Sequence, residues 1–77
     1  MEPIQYLANT EKGYYIVEQL PKDIKYRRLA LYMGFEEGKE IYLPRKHFYV
    51  YGVPVYIKGK SIFVKNNLAY RILVRKI

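Results

Sequence analysis

The apolar positions of this chain repeat with a helical period in one place and with a period of two elsewhere. Tyr26, Leu29, Ala30 and Met33 fall at i, i+3, i+4 and i+7, one stripe of an α-helix. Asp23, just after Pro21, stands where an N-cap side chain accepts backbone N–H bonds. Gly34 fits the left-handed residue that ends a helix without a Cβ penalty. Phe35 then lies where such an ending packs an apolar side chain back on the last turns, near Leu29 and Ala30. The phrase RRLALYMGF at 27–35 thus reads as the end of a helix spanning about 24–33. A helix this short is marginal alone and must dock on something.

The remaining segments read as strands. YYIVEQL at 14–20 is aromatic and β-branched. EIYLPRK at 40–46 alternates Ile41 and Leu43 against Tyr42 and Pro44, and Pro44, lacking an N–H, predicts an edge position or a bend. VPVYIK at 53–58 places Val53, Val55 and Ile57 on one face, and SIFVK at 61–65 follows as its hairpin partner across the turn KGKS. Asn66 and Asn67 predict a short turn, and YRILVRKI at 70–77 closes the chain with Ile72 and Val74 on one face. Five short strands and one early helix predict a mainly β fold: a small SH3-like β-barrel with one short α-helix, about 24–33, after the first strand.

Length and composition narrow this picture. The 77 residues make one domain, 1–77, with a small core and no cysteine to brace it. Ten tyrosines and three phenylalanines must supply much of the burial. MEPIQYLANTEK at the start has no basic head followed by an apolar stretch, so no secretory address is expected. The longest near-apolar run, FYVYGVPVYI at 48–57, is broken by glycine and proline and falls short of the about 20 residues of a membrane span. A cytoplasmic chain with no direct membrane insertion is expected.

Charge is unevenly placed. The net charge is +7, and all seven acidic residues lie in 1–40, so the excess of lysine and arginine belongs to the second half. A positive face attracts nucleic acid, anionic lipid or an acidic protein surface, and does not by itself choose among them. For nucleic acid, Tyr42, Tyr49, Tyr51, Tyr56, Phe63 and Tyr70 are interleaved with Lys46, Lys58, Lys60, Lys65, Arg71 and Arg75, a composition able to stack bases and neutralise phosphates. No RNA-recognition signature accompanies it, and packing claims most aromatics in so short a chain.

Catalytic and metal chemistry find few candidates. His47, between Lys46 and Phe48, has no second histidine to join it, and no acid follows Glu40. Fe(II) and Zn(II) sites gather several such ligands, so His47 reads as a loop or surface residue. Glu36, Glu37 and Glu40 read as the solvated turn after the helix. No nucleophile–base pair stands in a plausible setting and no phosphate-cradling glycine motif is present. A non-enzymatic chain without a cofactor is expected.

The order of features resembles the FeoA family of ferrous-iron transport proteins. The phrases that carry the resemblance are RRLALYMGF at 27–35, EEG at 36–38, EIYL at 40–43, GVPVYIKG at 52–59, SIFVK at 61–65 and AYRILV at 69–74. Each is local punctuation; their combination over about residues 7–77 is the signal. Tyr32, where the family more often has Asp or a small residue, and FYVY at 48–51, where polar residues are common, depart from it. The resemblance implies an SH3-like barrel with an inserted helix. It also implies a cytosolic accessory of FeoB, a membrane iron transporter with a cytosolic GTPase domain. A similar module ends iron-dependent repressors of the DtxR type, whose helix-turn-helix and dimerisation regions have no counterpart in these residues.

As partner surface, RKHFYVYG at 45–52 is the strongest candidate, because it joins two expected strands and holds Arg45, Phe48, Tyr49 and Tyr51. Arginine and aromatics are enriched at interface hot spots, and loops on rigid scaffolds carry function. The competing reading continues Phe48 and Val50 as a strand into the core.

Overall fold

The computed structural model describes residues 3–44 and 51–77. The described chain runs β1 (Ile4–Tyr6), a single 3-10 turn (Leu7–Asn9), β2 (Gly13–Gln19), α1 (Ile24–Met33), β3 (Glu40–Leu43), β4 (Gly52–Ile57), β5 (Lys60–Lys65), α2 (Asn66–Ala69) and β6 (Leu73–Lys76). The strands form one antiparallel sheet in the order β1-β6-β2-β3-β4-β5.

The alternation along each strand sorts side chains as period two requires. Tyr15 and Val17, Ile41 and Leu43, Val53, Val55 and Ile57, Val64, and Val74 all turn inward into one core, joined by Leu7, Leu20, Phe35, Leu68 and Ile72. β1 and β5 stand at opposite ends of the strand order, and among the described residues no ladder joins them. The turn after β1 nevertheless packs on α2 and β4, and Leu7 donates its N–H to the Ile72 carbonyl at 2.8 Å. The sheet thus curls so that the turn after β1 reaches β4, which gives a small SH3-like β fold.

Local chemistry sets the α1 ends. Asp23 Oδ1 accepts the Lys25 N–H at 2.9 Å. At the other end Gly34 takes φ 106°, its N–H reaches the Leu31 carbonyl at 3.0 Å, and the Phe35 N–H reaches the Ala30 carbonyl at 3.0 Å. This is a Schellman ending, and it drives the Phe35 ring into the core. The hairpin from β4 to β5 turns through Lys58 (φ 50°) and Gly59 (φ 78°), the two positive angles of a type I′ turn.

The structure corrects the expected element order in three places. A strand, β1, precedes β2, so α1 follows the second strand, not the first. Its three residues show no periodic signal, and its ladder depends on β6 across the chain, Ile4 opposite Arg75 and Tyr6 opposite Leu73. Asn66–Ala69 forms a short helix where the two asparagines predicted a turn, because Leu68 and Ala69 both reach the core. β3 lies inside the sheet, between β2 and β4; it tolerates Pro44 because the strand ends at Leu43, before a ladder N–H is missed.

The segment after α1 is also more engaged than a solvated turn. β2 shifts register between Val17 and Gln19. There the Val17 N–H donates to the Lys39 carbonyl at 3.0 Å, and the Gly38 N–H donates to the Val17 carbonyl at 2.8 Å. Glu37 Oε2 accepts the Leu20 N–H at 3.1 Å, and Glu36 pairs with Lys58.

Candidate protein-interaction surface

Arg45, Phe48 and Tyr49 of the expected interaction loop lie outside the described residues, as does His47. Tyr51 is described and strongly exposed. Its carbonyl accepts the Asn66 N–H at 2.8 Å, which fixes the end of that loop beside the start of α2.

A cleft opens between α1, β5 and α2. Leu29 and Met33 of α1, Phe63 and Lys65 of β5, and Asn67 and Leu68 of α2 enclose about 340 Å³. The sequence places Leu29 on the stripe expected to be buried; in the fold Ala30 alone of that stripe is fully buried, Tyr26 and Met33 are half-buried, and Leu29 is exposed at the cleft mouth. Stripe membership could not separate a side chain under the sheet from one beside it, because both face the same neighbour.

Several contacts hold the cleft walls. The Phe63 ring lies across Gly52: a Cβ built there would stand 2.7 Å from the ring and 2.3 Å from the Val64 carbonyl oxygen. Only glycine allows that approach. On the helix side, the Arg71 guanidinium sits 4.2 Å from the centre of the Tyr26 ring, while its Nε donates to the Asn67 carbonyl at 3.0 Å. These contacts tie α1 to α2. Apolar walls with Lys65 alongside suit an apolar partner side chain next to a carboxylate.

The outer face of the sheet carries a different arrangement. Tyr14, Tyr42 and Tyr56 stand directly opposite one another on β2, β3 and β4. Their ring centres are 4.6 and 6.2 Å apart. Tyr42 and Tyr56 belong to the aromatic set whose composition suits base stacking, and Tyr14 joins them only through the sheet register. Tyr70 is not with them; it lines a separate cleft with Tyr6, Leu20 and Arg71. Three of the cations interleaved with these aromatics are engaged elsewhere. Lys58 pairs with Glu36, Arg75 with Glu18, and Arg71 covers Tyr26. The row therefore reads as cross-strand sheet stabilisation.

Among the described residues no group of three or more His, Cys, Asp or Glu side chains comes together as metal ligands would. Among the described residues Glu36 has a perturbed carboxyl. Its hydrogen bond and charge attraction to Lys58, with a smaller contribution from Lys39, hold its carboxyl below the usual range. Among the described residues no helix is long and apolar enough to cross a membrane.

The fold defines a class, the small SH3-like β folds with an appended helix pair. Comparison with solved structures then narrows it. An NMR structure of a FeoA-like protein from Clostridium acetobutylicum superposes with a TM-score of 0.85 at 27% identity, covering 100% of this chain and 91% of the other. A crystal structure of an iron uptake regulatory protein (FeoA) matches with a TM-score of 0.84 at 22% identity, covering 97% of this chain and all of the other. ScaR, in a crystal structure with bound Zn2+, matches with a TM-score of 0.86 at 22% identity; this chain spans 37% of that one. The chain resembles the FeoA family over its whole length. No protein-family model matches the sequence, and no curated protein matches it significantly.

Proposed function

We propose that this chain is a cytosolic accessory of ferrous iron transport, a non-enzymatic interaction module that acts with the cytosolic GTPase domain of a FeoB-type membrane transporter. The observation that carries the reading is the likeness to a FeoA-like protein over 100% of this chain and 91% of that one, at 27% identity and a TM-score of 0.85. Structures of ScaR match as well, over 37% and 35% of that chain.

The docking surface is the α1–β5 cleft together with exposed Tyr51, whose carbonyl is held by the start of α2. The partner inserts an apolar side chain between Leu29, Met33 and Phe63, and places acidic groups near Lys65. Leu29 and Tyr51 are both exposed, so replacing them leaves the core intact.

Calorimetric titration of the transporter's cytosolic domain tests this. Leu29→Glu and Tyr51→Ala are each expected to keep the parent's melting temperature within a few degrees and to weaken binding by at least about tenfold, or 1.4 kcal/mol. Parent-like binding by both variants would move the interface elsewhere, and no binding by the parent chain would remove the transporter partnership.

A further inference from the structure

Helix α1 leaves most of its large apolar side chains, Ile24, Leu29, Leu31 and Tyr32, exposed to solvent. Of its ten residues only Ala30 is fully buried. Ile24 is 66% exposed, Leu31 48% and Tyr32 89%. A helix turns by about 100° per residue, which places Leu31, Ile24, Arg28, Tyr32 and Lys25 on one arc of about 120°. That arc lies opposite Tyr26, Ala30 and Met33, the side chains that meet the core. Arg28 and Lys25 on the outward arc are exposed as well.

The outward arc has a defined chemistry. Three large apolar side chains, one of them a tyrosine, are interleaved with two cations, and the helix IKYRRLALYM contains no acidic residue. Lys22, exposed just ahead of the helix, adds another cation. A second copy of the chain does not suit this face, because α1 against α1 would set Lys25 and Arg28 against the same charges with no acid between them. A protein groove would have to alternate apolar pockets with carboxylates along a convex ridge. A lipid surface accommodates the interleaving without such matching. Apolar and tyrosine side chains enter the boundary between headgroups and acyl chains, while lysine and arginine stems bend outward to the phosphates.

We propose that the outward face of α1, formed by Ile24, Arg28, Leu31, Tyr32 and Lys25, is a docking surface for anionic membrane. The helix lies in the interface plane and does not cross it. The contact is reversible: three inserted side chains and a few cations give a weak, salt-sensitive association, far short of a spanning anchor. The face points away from the core side of α1 and is separate from the cleft beside β5, so the proposal stands independently of the transporter reading.

Co-sedimentation of the full chain with vesicles provides the test. Binding is expected to vesicles of phosphatidylcholine containing phosphatidylglycerol, not to phosphatidylcholine alone, and to weaken as salt rises. Ile24→Ser with Tyr32→Ser is expected to reduce that binding at least about tenfold while circular dichroism and melting stay those of the parent. Tyr14→Ser, an exposed tyrosine on the sheet, is expected to bind like the parent. A double variant that binds anionic vesicles as well as the parent does would reduce the effect to general attraction by the +7 charge and overturn the assignment to this face. A parent chain that fails to sediment with anionic vesicles would overturn the proposal outright. If the double variant then also lost affinity for the transporter domain, the face would be a protein interface.

Discussion

Gly34 closes α1 at φ 106°, with the Ile57 Cγ2 atom 3.3 Å from where a Cβ would be. Two separate penalties therefore meet at one position, backbone strain for any L side chain and crowding against a core residue. Gly34→Val is expected to destabilise the fold by more than about 1 kcal/mol, since a β-branched residue resists the left-handed region most. Urea midpoints decide it, and equal midpoints for variant and parent would exclude the glycine cap. Glu36 offers a residue-scale test of charge. Lys58 lowers its pKa in the folded chain. The pair therefore adds stability at pH above the unfolded-state value, and that contribution disappears as pH falls through the lower folded value. Both side chains are substantially exposed, so the effect is small. In Lys58→Asn, which keeps a residue tolerant of positive φ, the Glu36 carboxyl titration followed by NMR is expected to move up toward the ordinary carboxylate range. An unmoved titration would show that Lys58 is not the cause.

The elements divide by how local their causes are. α1 carries its own start and stop signals, Asp23 and Gly34, which is why its bounds were readable as 24–33. The β4–β5 hairpin likewise holds its turn and both alternating faces within one stretch. β1 and α2 have no such internal signal. β1 exists because β6 offers it a ladder, and α2 because Leu68 and Ala69 find the core. The cleft belongs to this second kind, since it needs α1, β5 and α2 at once. Gly52 links the element scale to the site. Its residue type reads as loop punctuation in the sequence, yet in the fold it makes room for the Phe63 ring and the Val64 carbonyl. Gly52→Ala is expected to cost about 1–3 kcal/mol, the range for overpacking a well-packed site. It should also weaken partner binding beyond the loss of folded protein, because Phe63 must leave the cleft wall. Thermal melts with calorimetry on the same variant check both; unchanged stability would show that the ring and strand relax without cost.

At the scale of the molecule, one curled sheet buries a single core while leaving several apolar or aromatic surfaces outside: the α1 ridge, the cleft and the tyrosine row. The described residues supply a setting for docking and gather no ligand cluster for chemistry. For the whole chain, including His47 beyond the described residues, no tight Fe(II) or Zn(II) site is expected, because nitrogen and carboxylate ligands are few and thiolates are lacking. A stoichiometric calorimetric titration with Kd below about 1 μM, abolished by His47→Ala, would contradict this and turn attention to metal sensing.

What the sequence determined by itself was whatever neighbouring residues could enforce. That covers the helix with its caps, the inward rows Ile41 and Leu43, Val53, Val55 and Ile57, and the mainly β class. Period and capping act over a few residues, so they are written locally. The tertiary structure decided which stripe residues reach the core, that Leu29 stays outside it, that Tyr14 joins Tyr42 and Tyr56, and that three cations are spent on Glu36, Glu18 and Tyr26. Each of these depends on strand register or on packing between segments far apart in the chain. A one-residue change of register turns every side chain of a strand to the other face, and nothing within the strand's own few residues records which partner fixes it.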